Sequence, residues 1–193
     1  MLCNLDRMGR KTWATSIKDI LYSFGFGYAW ISQEVGNRQL FLYTFEMRVK
    51  DVLKQRWTEN LALKPKLRTY SQFKSLLEPE KYLHLQFNHE AIRMFTCFRC
   101  SVLPLAIEEG RRRNIAIRDR ICKFCNTNSV EDEYHFLVIC PMYNNLRLRF
   151  LPKDLFLEPN YQKFIRFMSS PVSDELISIS NFVYRAFKLR EKA

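Results

Sequence analysis

The sequence predicts an all-α protein with a zinc knuckle inserted before its last helices. Three observations predict it. Apolar residues recur at helical spacing through most of the chain, and clear strand alternation is scarce. Five glycines and seven prolines in 193 residues are too few for a chain built from many tight turns. Cys122, Cys125, His135 and Cys140 spell C-x2-C-x9-H-x4-C, a donor set that can close tetrahedrally around zinc. Hydrophobic residues make up 47% of the chain and aromatic residues 15%, enough for a packed core and too much for wholesale disorder.

In chain order, Trp13, Ile17, Ile20, Leu21 and Phe24 place a helix over residues 11–24, stopped at Gly25-Phe26-Gly27. That Gly-x-Gly follows a helix and lacks a third glycine, so it is no phosphate loop. Asn37 caps a helix over about 38–62, with Leu40, Phe41, Phe45, Val49, Val52, Leu53 and Trp57 as its apolar positions, and Pro65 closes the region. Residues 67–77 read as a helix or an extended lead into one. Pro79 and Glu80 open a short helix with Tyr82 and Leu83 inward. Asn88 caps a helix reaching about residue 104, where Pro104 interrupts, and residues 105–115 finish at a glycine and three arginines. Two further helices are expected at about 155–169 and 173–190. The regions are 1–115, helical; 116–150, the zinc-knuckle module; and 151–193, a helical tail.

Within the knuckle, a C-x2-C turn aims two sulfurs at one point, with a short hairpin around the pair. Asn128 or Ser129 caps a helix entered by Glu131, Asp132 and Glu133, whose charges suit its N-terminus. That helix delivers His135 and Cys140. Glu131, Asp132 or a backbone carbonyl is expected to take the second imidazole N–H. A metal ion in a closed set of four ligands stabilises a fold, because the unfolded chain has no site for it. Cys97 and Cys100 offer a competing four-cysteine set with the first pair, but they sit in an expected helix, so packed core thiols are the simpler reading. Cys3, near the start, carries no argument.

The formal charge is +11, which favours an anionic partner, nucleic acid or an acidic membrane face. The first residues contain no apolar signal-peptide core, and the uncharged run from Leu21 to Gln33 is too short to span a bilayer. An intracellular protein of nucleus or cytoplasm, with no membrane association, is therefore expected. Arg111, Arg112, Arg113, Arg118, Arg120 and Lys123 set six positive charges beside the knuckle, with Asp119 the one acid among them. They suit a phosphate backbone, and Phe124 suits stacking on a base. The alternative is a solvated charged face with Phe124 in the core. Lys64, Lys66, Arg68 and Lys74 would extend the basic path. His84 and His89 do not share a helix face, and no nucleophile motif is present, so no catalysis is expected.

The stretch Leu67-Arg68-Thr69-Tyr70, with Glu80-Lys81-Tyr82-Leu83, Phe98-Arg99-Cys100, Leu105-Ala106-Ile107-Glu108-Glu109-Gly110-Arg111, Arg120-Ile121-Cys122 and above all Glu131-Asp132-Glu133-Tyr134-His135-Phe136-Leu137 before Cys140-Pro141-Met142-Tyr143, resembles a known family. It is similar to the C-terminal region of reverse transcriptases encoded by animal non-LTR retrotransposons, over most of residues 11–150. The resemblance implies a helical extension with a CCHC zinc knuckle, corresponding to the end of a larger polyprotein whose polymerase lies upstream. That polymerase needs adjacent aspartates, and this sequence has no Asp-Asp pair. Some relatives add an endonuclease; the one candidate here, Lys153, Asp154, Glu158 and Lys163, lacks strand context. The expectation is a zinc-binding module for RNA or DNA without polymerase activity. Its alternatives are a structural or protein–protein interaction module stapled by zinc, and a decayed retrotransposon fragment.

Overall fold

A computed structural model describes residues 12–170 and 172–192. The fold is all-α. Two compact units divide the chain between Asn60 and Leu61.

In the first unit, α1 (Trp13–Ser23) begins at a capping box built by Thr12 and Thr15. It ends where Gly25 takes a φ of +85°, which lets the Phe26 N–H reach back to the Leu21 carbonyl at 2.7 Å. A short helix that the sequence reading did not anticipate, α2 (Gly27–Ser32), follows at once. The long α3 (Arg38–Ala62) starts as expected, with Asn37 Oδ1 accepting from the Leu40 N–H at 3.0 Å. Phe24, Phe26, Phe41 and Phe45 form an aromatic cluster with centroids 5.2–5.9 Å apart, edge-to-face except for the stacked pair Phe41 and Phe45. No residue of α3 is buried, and Trp13, Ile20, Leu40 and Tyr43 are exposed. Periodicity located these helices correctly without indicating what covers their apolar faces.

The second unit holds α4 (Tyr70–Phe73), α5 (His89–Arg99), α6 (Ala106–Arg112), α7 (Asn144–Phe150), α8 (Lys153–Leu157), α9 (Tyr161–Met168) and α10 (Ser173–Arg190). The axis of its core is α10, whose Leu176, Ile179, Phe182, Val183, Ala186 and Phe187 fall on one face and pack against α5 and α7. Each of these larger side chains contributes about 1.5–3 kcal/mol by leaving water. Phe136, from the knuckle, lies among Phe98, Tyr143, Phe182 and Phe187 at centroid distances of 4.8–5.9 Å. The knuckle therefore shares one core with the helices before and after it.

Several boundaries differ from the sequence reading. Helix α5 stops at Arg99, because Ser101 turns left-handed at φ +52° and the Val102 N–H closes onto the Cys97 carbonyl. Residues 67–77 are helical only over α4. Leu83 is exposed while Tyr82 is buried, since their turn is a 3-10 helix, Lys81–His84. The expected helix at 155–169 is broken in two at Pro159, and Asn160 caps the second half through the Gln162 and Lys163 N–H groups. The hairpin reduces to one antiparallel bridge, Ile121 with Val130.

Candidate metal centre

The knuckle is built from both ends. The Cys122 N–H donates to the Ser129 carbonyl and the Glu131 N–H to the Arg120 carbonyl, each at 3.0 Å, flanking the bridge. Asn128, left-handed at φ +51°, turns the loop between them. Because Val130 and Glu131 are held in this ladder, the following helix cannot begin at Asn128 or Ser129. Asp132 caps it instead, its Oδ1 accepting from the His135 N–H at 2.8 Å.

That helix is a π-helix, His135–Ile139, closed by the Cys140 N–H on the His135 carbonyl at 2.8 Å. An α-helix would rotate residues five apart by roughly 500°, setting His135 and Cys140 on different faces. The wider turn brings both ligands to the same side.

The four donor atoms of Cys122, Cys125, His135 and Cys140 lie within 4.8 Å of one another. The sulfurs of Cys122 and Cys140 are 3.9 Å apart, and the Cys125 sulfur is 3.4 Å from His135 Nε2. An ion held tetrahedrally by bonds of about 2.0–2.3 Å sets such edges at roughly 3.5–3.8 Å, so the donors fit a metal ion. Cys122, His135 and Cys140 are buried, and Cys125 is half-buried. Burial pushes the Cys122 and Cys140 thiols up and the His135 imidazolium down, which keeps the imidazole neutral, as a ligand requires. Burial also raises Cys125, but hydrogen bonds from the Thr127 hydroxyl and backbone outweigh it and hold this thiol below its ordinary range.

The expected partner of the second imidazole nitrogen is not found. His135 Nδ1 is buried without a hydrogen bond among the described residues. The candidates are committed elsewhere: Asp132 caps the helix, and Glu131 accepts from the Ala106 N–H at 2.7 Å and from Arg190.

Two arginines that the sequence reading passed over organise the site. Arg147 is buried and donates to the carbonyls of Leu137 at 2.8 Å, Phe136 and Cys140, at the end of the π-turn. Among the described residues it forms no ion pair, and burial lowers its pKa to about 10. Three thiolates around a divalent cation carry one net negative charge, the counter-charge this guanidinium otherwise lacks. Arg190, at the end of α10, pairs with Glu131, donates to the Pro104 carbonyl at 2.8 Å and covers the Phe124 ring at 4.2 Å.

The expected basic rim is only partly free. Arg112, Arg113, Arg118 and Lys123 are exposed. Arg111 pairs with Glu108 at 2.9 Å. The Arg120 guanidinium donates to the Ile107 and Ile115 carbonyls, and Phe124 lies under Arg190, so both serve the fold. In the second basic stretch, Arg68 bridges buried Glu108 and Glu133, and Lys74 pairs with Glu80 at 2.9 Å, leaving Lys64 and Lys66. Glu131 and Glu133, expected as charges at a helix N-terminus, are buried ion-pair partners.

Cys97 and Cys100 are half-buried free thiols that stand apart from the metal cluster. Cys3 lies outside the described residues. His84 and His89 are exposed, and Lys163 meets Glu158 at 3.4 Å on the surface of helical segments. Among the described residues no helix is long and apolar enough to cross a membrane. Fold and site define an all-α protein with a Cys3His cluster able to hold a metal ion. No family model matches the chain, and no curated protein and no solved structure is significantly similar to it.

Proposed function

We propose that the chain is a zinc-stapled helical module that binds nucleic acid, corresponding to the region beyond the polymerase of a non-LTR retrotransposon reverse transcriptase and having no polymerase activity of its own. The observation that carries this reading is the convergence of four soft donors within 4.8 Å beside exposed arginines. A sulfur-rich donor set with tetrahedral edges favours zinc over harder, six-coordinate ions. Zinc, when bound, would supply four bonds that hold the knuckle against the helical core. Arg112, Arg113, Arg118 and Lys123, on α6 and the loops that follow it, then offer fixed cations to phosphates.

Metal analysis of the purified protein tests the first half, with one zinc per chain expected and its loss in Cys122→Ser. Anisotropy titration of labelled RNA and DNA tests the second. Four phosphate contacts predict a log–log salt slope of about −2.8 on single-stranded probes and about −3.6 on duplex. Affinity should fall at least tenfold in the Arg112→Ala/Arg113→Ala/Arg118→Ala variant. Binding without salt dependence would refute it.

A second reading is favoured by α3, which exposes apolar side chains along its length. A protein-interaction module would hold zinc equally well and lose nothing in the triple-arginine variant.

A further inference from the structure

A cavity of about 650 Å³ opens in the second unit where residues 63–67 meet the end of α6. Its charged lining is Lys64, Lys66 and Arg111, with no acidic residue among the lining groups. Two basic segments far apart in sequence thus converge on one concavity, although Arg68 and Lys74, their sequence neighbours, are consumed by ion pairs. Lys64 and Lys66 form no ion pair among the described residues, and Arg111 engages Glu108 through Nε, which leaves both terminal amino groups of its fork uncommitted. Leu63, Pro65 and Leu67 give the wall an apolar side, with Leu63 78% exposed, and Asn114 lines it as well. Cys100, half-buried, lines the same cavity.

We infer that this cavity seats one nucleotide of a single-stranded nucleic acid, its phosphate on the three cations and its base against the leucine and proline wall. The inference rests on the nucleic-acid reading above and gives it a location. A volume of this size accepts a drug-sized or nucleotide-sized group. Two unpaired lysines beside the free amino groups of Arg111 select an anion, and an apolar wall beside them selects one with an uncharged face. A concave seat takes an unstacked base, which a single strand presents and a duplex does not. Duplex or an acidic peptide would satisfy the charges and leave the apolar wall uncovered.

The test uses the full-length, zinc-loaded protein with fluorescein-labelled single-stranded RNA and DNA oligonucleotides. Lys64→Ala/Lys66→Ala should weaken binding at least tenfold and reduce the log–log salt slope by about 0.7, the value for one phosphate contact on a single strand. Leu63→Ala should weaken it several-fold with the slope unchanged. Site-resolved alkylation by iodoacetamide should slow at Cys100 at least threefold when the oligonucleotide binds, and remain unchanged at Cys97. Wild-type binding that survives both substitutions, with Cys100 still reactive, overturns this site while leaving the nucleic-acid reading intact. Failure of the wild type to bind any oligonucleotide overturns both. Displacement of the strand by polyglutamate or by duplex DNA at equal charge concentration overturns the single-nucleotide seat.

Discussion

Arg190 and Glu131 form an ion pair that ties the end of α10 to the residue following the knuckle's bridge. Glu131 is 1% exposed and lies 3.7 Å from the Cys122 sulfur, so its charge sits beside the Cys3His cluster. Arg190 neutralises it and stacks on Phe124 from the same position. Removing one partner of a buried pair leaves an uncompensated charge, at a typical cost of about 3–5 kcal/mol. Arg190→Ala is therefore expected to destabilise the protein by about 3 kcal/mol in urea unfolding. Arg190→Met with Glu131→Gln should recover much of that, because no charge is then stranded.

Arg147 makes a second prediction. It donates to carbonyls at the end of the π-turn, and neither lysine nor methionine can reach Leu137 and Cys140 together. Arg147→Met is expected to cost about 2–4 kcal/mol, since hydrogen bonds from a charged donor to buried acceptors are lost. It should also weaken metal binding, read by competition with a chromophoric chelator, because Cys140 is held through its own carbonyl. Arg147→Lys should behave nearly as badly.

The ligand set and most helices were legible in the sequence, for a physical reason. Helical period, Asn caps at 37 and 88, and cysteine spacing are local signals, and each is realised in short-range geometry. Helix ends differed through local turns at Ser101, residues 81–84 and Pro159, and the roles of several charged residues were decided by long-range partners. Glu131 looked like a helix-dipole charge until Arg190 buried it. Arg120, expected in the basic rim, is held by the carbonyls of Ile107 and Ile115. The π-turn was illegible because its widening depends on Arg147, which follows it in the chain. Charge in an apolar run, as at Arg147 between two leucines, was the one clue to these pairings.

Gly110 carries a third prediction. It lies on α6 directly under the Arg120 side chain, and a Cβ there would come within 2.4 Å of the Arg120 Cγ and 2.7 Å of its Cδ. Those methylenes cannot swing away while the guanidinium holds the Ile107 and Ile115 carbonyls. Gly110→Ala gains a little helix propensity and loses the Arg120 clamp, so a net cost of about 1–3 kcal/mol is expected from overpacking. Gly110→Ala combined with Arg120→Ala should cost less than the sum of the two single changes, because the clash requires both side chains.

Tyr70 carries the pH prediction. Its ring packs edge-on to Phe73 at 5.5 Å, and burial, reinforced by the nearby Glu80 carboxylate, pushes its pKa up to about 12. An unfolded tyrosine ionises near 10. Below about pH 10 the phenol is protonated in both states and its contribution to stability is complete. Between about pH 10 and 12 the unfolded chain releases the proton while the folded chain retains it, so the unfolded state gains and stability falls as pH rises. Tyr82, also raised by burial, acts in the same direction. Tyr70→Phe has no proton to lose. Its melting temperature should lie near that of the wild type at about pH 8 and should fall less steeply than the wild type's above about pH 10. Parallel alkaline slopes for the two proteins would show that this phenol is not held in its neutral form by the fold.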